Sequence, residues 1–507
     1  MNTAIDSVSS FLFVTPELLL CGAAVVLFLL SAAARHPSPW QGIVFPLLAI
    51  GTSLAALAWL IWYGMGWQGQ GILIFDGLVA LDPMGLVFRA LIMGVVAVAV
   101  MLSVGSPELP KSQRGEYHGL LMVMAAGMSF LVGANHLLMI YVAMETVSLC
   151  SYLLVGWNQA KPRSGEAGLK YVLYGGVASG IMLFGMSLLF GLFGDLSLPG
   201  LHKALAAPDA IPAGAASWTA WIAVSFVLVG FGFKVTAVPF HMWSPDAYEG
   251  APTPFTALLS VGPKAAGFAV MLRFLWGIFA EPGSLQETLA VDLPWEIIIG
   301  VLAALSMTLG NLVALVQNNL KRMLAYSSIA HAGYILMGVV AGGHDGFESV
   351  TLYMGIYAMM NLGAFAVVAA VARSTGSEDM SAYRGLGKRA PWLALVMVIF
   401  LLSLTGLPPT AGFIGKLYLF AALLAHGGTW YLILAGLGIA NSVIALYYYA
   451  RVMKAMYLEQ GDPDAKPVPA LNAAGLVAGM MALPTLIFGI FFQPLAVLAS
   501  WSAQIIR

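Results

Sequence analysis

Charge is what this sequence has least of. Only 9% of its 507 residues are Asp, Glu, Lys or Arg, while 60% are hydrophobic; soluble domains carry about a quarter charged residues. So little charge cannot clothe a water-facing surface, and the chain belongs in a bilayer. A formal net charge of −1 leaves no basic stripe for nucleic acid and no acidic face for a basic partner. Cysteine is nearly missing as well. Cys21 and Cys150 each fall in an apolar run, which excludes a disulfide framework, a CxxC redox pair and a thiolate set for an iron–sulfur cluster. No phosphate loop, dinucleotide signature or nucleophile–base set occurs, so no energy source of its own is expected. The first apolar run has no basic stretch ahead of it and reads as a retained helix, not a cleaved signal.

Long hydrophobic runs are what the sequence does have. A helix crosses the hydrocarbon in about 20 residues, and the chain offers about fourteen such segments. They fall near 11–31, 43–63, 84–104, 118–134, 136–156, 170–193, 218–240, 253–280, 296–316, 323–341, 350–372, 392–425, 430–450 and 470–499. The polar links are too short to fold alone, so the expected class is an all-α integral membrane protein. Basic residues fall in alternate loops: Arg35, Lys111, Arg114, Lys161, Arg163, Lys170, Lys321, Arg322, Arg373, Arg384, Lys388, Arg389, Arg451, Lys454 and Lys466 on one side, against only Lys203 and Arg507 on the other. Positive loops stay inside, which predicts a multi-pass membrane protein with its basic loops in the cytoplasm and both termini outside.

Arg89, Lys234, Lys264, Arg273 and Lys416 are left inside apolar segments. Arg89 and Arg273 lie nearer segment ends and read as side chains that snorkel to the interface. The lysines demand more, since an ammonium at the centre of a membrane helix costs roughly 3 kcal/mol or more. Glu145, in the middle of the fifth segment, is the one carboxylate at comparable depth; Glu17 lies within reach of an interface. One glutamate cannot neutralise three lysines. It is either packing glue for one of them or the partner that switches a lysine between loaded and empty, as in a proton relay.

Prolines mark the same places. Pro239 follows Lys234, Pro263 precedes Lys264, and Pro408 and Pro409 precede Lys416. A proline frees a backbone carbonyl, and at membrane depth such breaks persist only inside protein or along a hydrated cavity. Segments 4–8 and 9–13 are each five helices long, an odd number that inverts the second copy. The seventh and twelfth segments then correspond, both with lysine and proline, though in opposite order. His331, Tyr357, Asn361 and Tyr174 are the polar residues available for a path between the lysines, with packing as the alternative role for each. Too few histidines lie at depth for paired haem ligation, and too few carboxylates for metal transport.

The stretches "KVTAVPFHMWSPDAYEGAPTPFTALLSVGPKAAGFAVMLRF" (234–274), "NLVALVQNNLKRMLAYSSIAHAGY" (311–334) and "LLSLTGLPPTAGFIGKLYLF" (401–420) carry a family resemblance. The chain resembles the antiporter-like subunits of respiratory NADH–quinone oxidoreductase, complex I. Within them it is most similar to the N type, the counterpart of mitochondrial subunit 2. The resemblance spans essentially the whole chain. It implies fourteen helices with inverted repeats at helices 4–8 and 9–13 and breaks in helices seven and twelve. The corresponding divisions are 1–117, 118–280, 281–457 and 458–507. It also implies that Glu145 is the ion-pair glutamate, that Lys234 and Lys264 are successive proton sites, and that Lys416 faces the opposite half-channel. His331 matches a polar site on the central axis.

By the same resemblance the chain is a non-redox, proton-translocating subunit of an NADH:quinone oxidoreductase. It would hold no cofactor; flavin, iron–sulfur clusters and quinone would sit on partner subunits. Its neighbours would be the M and K types and the transverse helix of subunit L. The rivals are a subunit of a multisubunit cation/proton antiporter or membrane-bound hydrogenase, and a protein that merely spaces other subunits.

Overall fold

Backbone polar groups find no water in hydrocarbon, so apolar runs must satisfy them internally as helices. The computed structural model describes residues 7–33, 40–67, 71–206, 215–279, 295–461, 467–469 and 472–504; Arg35, Lys466, Arg507 and the expected 280/281 division lie outside the described residues. Among the described residues, thirteen helices are long and apolar enough to span a membrane, and two shorter apolar helices, Pro391–Thr405 and Ala411–Ala425, stand where the twelfth segment was expected.

In chain order the membrane helices are α1 (Thr15–Ala33), α2 (Gln41–Met65), α3 (Pro83–Ser103), α4 (Arg114–Gly133), α5 (Leu137–Val155) and α6 (Pro162–Phe193). Next come α7 (Ala215–Val235), α8 (Thr253–Phe279), α9 (Trp295–Ala314), α10 (Leu320–Ala341) and α11 (Gly343–Thr375). The chain ends with α12 (Pro391–Thr405), α13 (Ala411–Ala425), α14 (Thr429–Tyr457), α15 (Ala473–Ile490) and α16 (Gln493–Ser502). The last expected segment, 470–499, is thus two helices.

Local chemistry sets the ends. Asp82 accepts from the Gly85 N–H at 2.8 Å ahead of Pro83 and starts α3. Asn319 does the same for α10 by accepting from Arg322 N–H at 3.1 Å. Such caps satisfy N–H groups that have no partner inside the helix. α8, with its four Ala and three Gly, is buried throughout its apolar window, and α10 and α11 nearly so, whereas α6 and α14 expose Leu, Val and Ile to the surroundings. Small residues let helices approach closely where no hydrophobic force drives association within lipid.

Two expectations fail at the N-terminal end. Arg89 and Arg273 do not reach the interface: they are 0% and 1% exposed, and both are paired. Glu17, expected near a surface, is 1% exposed; it meets Arg89 at 3.3 Å and accepts from Ser129. Arg273 holds Asp82 in a fork, 2.7 and 2.8 Å, and donates to Val132 O at 3.1 Å. A two-stranded hairpin, β1 (Ile72–Ile74) with β2 (Val79–Leu81), had no counterpart in the sequence reading. Its second strand bridges to Ala134, just past α4. Glu17 and Asp82, at the starts of their helices, are buried inside the protein, whereas Glu145 is half-buried.

Candidate proton path

The seventh segment breaks at its lysine. α7 ends at Val235, Thr236 takes φ +62°, Val238–Pro239 is cis, and helix resumes only over Ser244–Gly250. Trp243 closes the gap by donating its indole N–H to Phe233 O at 3.3 Å. Lys234 therefore belongs to the last turn of a half-helix, whose free carbonyls favour a cation. Its Nζ donates to Ser148 Oγ at 2.7 Å and to Met144 O at 3.4 Å, both on α5. Glu145 follows Met144 on α5 and is half-buried, and no direct ion pair joins it to Lys234 among the described residues. The Ser148 hydroxyl holds the contact position that a carboxylate partner of Lys234 would take. The stem of Lys234 lies on α8, where a Cβ on Gly267 would meet its Cγ at 3.1 Å. That places it within one turn of Lys264.

Lys264 follows Pro263 inside α8 and crosses to α10, where its Nζ donates to Ser328 O at 2.9 Å and also contacts the Ser328 hydroxyl. The same hydroxyl accepts from Tyr357 at 2.7 Å and lies 3.4 Å from the Tyr248 hydroxyl. Asn361 donates its amide to Ser260, one turn before Lys264, at 2.6 Å. His331 continues the line: Nδ1 is 2.7 Å from the Tyr353 hydroxyl, Nε2 is 3.4 Å from that of Tyr449, and its ring centre is 5.2 Å from Tyr357. Tyr449 in turn meets Ser327 Oγ at 2.5 Å.

The second break lies between α12 and α13, with Gly406 at φ +89° and Pro408–Pro409 cis. Lys416 comes after this break but folds back across it. Its Nζ donates to Thr405 O, the end of α12, at 2.8 Å and to Ser442 Oγ at 3.0 Å. It also stands 4.3 Å from the Tyr334 ring centre, and Ser442 donates to the Tyr334 hydroxyl at 3.0 Å. Gly406 has room for this only because it lacks a Cβ, which would sit 2.8 Å from Lys416 Cδ. The opposite order of lysine and proline in the two segments therefore conceals one arrangement: each lysine belongs with the carbonyl end of an interrupted helix.

Lys234, Lys264, Lys416, His331, Tyr357 and Asn361 are thus buried along one interior line across α7, α8, α10, α11 and α13. Tyr174 is not among them: it lies 48% exposed on the outer face of α6. Ser148, Tyr353, Ser442 and Tyr449 were missed as members of the path, because nothing marks a hydroxyl as functional until a lysine is seen against it. Lys321 was read as a loop charge, but it is 1% exposed and donates to Ala251 O at 2.7 Å. His344, Asp345 and Glu348 approach within 4.8 Å at the start of α11 and form a cluster able to ligate a cation, separate from this line.

Interrupted membrane helices with buried lysines at their broken ends define an antiporter-like ion-translocating fold. Residues 134–444 match the NADH:quinone oxidoreductase/Mrp antiporter transmembrane family. The chain is 44% identical over 514 residues to NADH-quinone oxidoreductase subunit N 2 of Sorangium cellulosum, covering 99% of each chain. It is 44% identical over 518 residues to subunit N of Anaeromyxobacter sp., covering 99% of this chain and 98% of the relative. The chain therefore belongs to the subunit N family of respiratory NADH–quinone oxidoreductase. A chain of respiratory complex I from Thermus thermophilus superposes with a TM-score of 0.73 at 30% identity, covering 94% of this chain and 99% of that one. A chain of the Mrp complex from Dietzia sp. shares the fold, with a TM-score of 0.81 at 21% identity and 97% of each chain covered.

Proposed function

We propose that this chain is a proton-translocating subunit of NADH–quinone oxidoreductase. Lys234, Lys264 and Lys416 act as successive proton sites, and His331, Tyr357 and Asn361 belong to the connecting path. The observation that carries this reading is the placement of three ammonium groups, each desolvated and held by serine hydroxyls and backbone carbonyls where a carboxylate would have fixed the charge. A lysine without a firm counter-charge can release its proton. Glu145, close to Lys234 but out of direct contact, is the group that biases it. Redox energy enters from other subunits, which hold the flavin, iron–sulfur clusters and quinone, and reaches this chain electrostatically.

Within that reading, 118–280 and 281–457 are the inverted repeats, 1–117 is the N-terminal three-helix region and 458–507 carries the C-terminal helices. The basic loops face the cytoplasm of the bacterial inner membrane and both termini face the periplasm. The neighbours are antiporter-like subunits of the M and K types and the transverse helix of subunit L. Identity to relatives named subunit N over nearly the full chain favours this over a free-standing cation/proton antiporter.

The test is Lys234→Ala in the assembled complex, in membrane vesicles, with NADH oxidation and interior acidification recorded together. Loss of both, or of acidification per electron, is expected. Full oxidation with unchanged acidification would make the buried lysine structural and end the relay reading.

A further inference from the structure

The half-helix Ser244–Gly250 is gripped from two sides by charges that the path itself does not use. Asp246 splits its carboxylate between Lys170 on α6, 2.8 Å from Oδ2, and Arg322 on α10, 2.5 Å from Oδ1. Glu249 splits the same way, with Arg163 of α6 at 3.1 Å from Oε1 and Arg322 at 3.0 Å from Oε2. Beside Arg322, the buried Lys321 ammonium takes the carbonyl of Ala251 at the C-terminal end of the half-helix, at 2.7 Å, and meets Glu378 at 3.3 Å. The half-helix therefore lies between helix α6 and the first turn of α10.

Isolated exposed ion pairs contribute little, so the arrangement is more informative than the pair count. A single Arg322 nitrogen, Nη1, serves both carboxylates, and each carboxylate is shared with a cation of another helix. From this clamp, two rigid connections lead into the path. Trp243, immediately before the half-helix, donates to Phe233 O beside Lys234 and stacks on Tyr171 of α6 at 4.1 Å. In the other direction, Arg322 lies on the same helix as Ser328, the acceptor of Lys264, and His331.

We propose, resting on the proton-path reading above, that Arg322 is a positioning residue. By holding Asp246 and Glu249 it fixes the separation between the Lys234 break on one side and the Ser328 acceptor on the other, and so governs transfer between Lys234 and Lys264. A clamp of this kind works by position and charge, so an ammonium at the same point replaces a guanidinium, while a neutral amide does not. Coupling of this sort between packed elements changes rates or equilibria by roughly 2- to 30-fold.

The experiment uses the assembled complex in vesicles, with Arg322→Gln, Arg322→Lys and Lys234→Ala prepared in parallel and complex content and thermal stability measured in each. Arg322→Gln is expected to lower NADH-driven acidification about threefold or more per assembled complex, and Arg322→Lys to restore most of it. Acidification by Arg322→Gln at the normal rate, or no recovery in Arg322→Lys, overturns the proposal; so does a loss that merely tracks lost assembly. If Lys234→Ala is impaired and Arg322→Gln is not, the clamp alone falls. If Lys234→Ala is itself normal, the path reading falls and takes the clamp with it.

Discussion

The ammonium of Lys264 meets both oxygens of Ser328, the carbonyl at 2.9 Å and the side-chain hydroxyl. That hydroxyl also accepts from Tyr357 at 2.7 Å, so one small side chain joins the lysine on α8 to a tyrosine on α11. Replacing it separates the two roles of the residue, because the carbonyl stays and the hydroxyl goes. Ser328→Ala is expected to keep the fold, at a cost of about 1 kcal/mol for the lost hydrogen bonding. Acidification should fall about fivefold or more, the equivalent of that energy in an equilibrium. Stopped-flow acidification of vesicles checks it; an unaltered rate would show that protons do not pass through this hydroxyl.

Gly406 tests the second break. An alanine there must hold φ near +89°, which costs an L-residue about 1–2 kcal/mol, and its Cβ would also press on Lys416 Cδ from 2.8 Å. Gly376 supplies the control, with φ +74° and nothing within 4 Å of a Cβ. Both alanine variants should lose stability in thermal unfolding, Gly406→Ala somewhat more, but only Gly406→Ala should lose acidification. Equal loss of acidification in the two would reduce the Lys416 contact to incidental packing.

Depth was legible in the sequence wherever a charge interrupted a long apolar run, which is why Lys234, Lys264 and Lys416 stood out. Partnership was not. Ser148 and Ser442 are ordinary helix residues until folding sets them against an ammonium. Glu17 sits in the first turn of α1, where distance along the chain suggests an interface. Burial there depends on packing: Arg89 comes from α3 and Ser129 from α4, beside a hairpin of three-residue strands too short to read from pattern. Lys321 shows the reverse error, a charge in a basic loop cluster that turns inward to cap a half-helix. Even the lysine–proline order misled, because side-chain reach across a break is a property of three dimensions.

Tyr174 gives a prediction of no effect. It was a candidate by its place in the sixth segment, but it lies 48% exposed on the outward side of α6. Tyr174→Phe should change stability by less than about 0.5 kcal/mol, as for surface changes generally, and leave acidification as it was. A clear loss of acidification would mean that the path reaches the outer face of α6 and would require redrawing it.

Glu17 and Arg89 form a buried ion pair outside the lysine line, 3.3 Å apart, with Arg89 Nε also donating to Ser129 O at 3.4 Å. Its energetics follow from desolvation. Removing one partner leaves an uncompensated charge where water does not reach, which costs about 3–5 kcal/mol, whereas replacing both by apolar residues of similar volume is often neutral. Glu17→Ala alone should therefore lower the thermal stability of the complex sharply, and Glu17→Leu with Arg89→Met should recover most of it. If the pair only fastens α1 and α3 to α4, acidification in the double variant should match the unaltered protein. A stable double variant that no longer acidifies would instead make Glu17 a proton site, and the path would have to extend into the N-terminal helices.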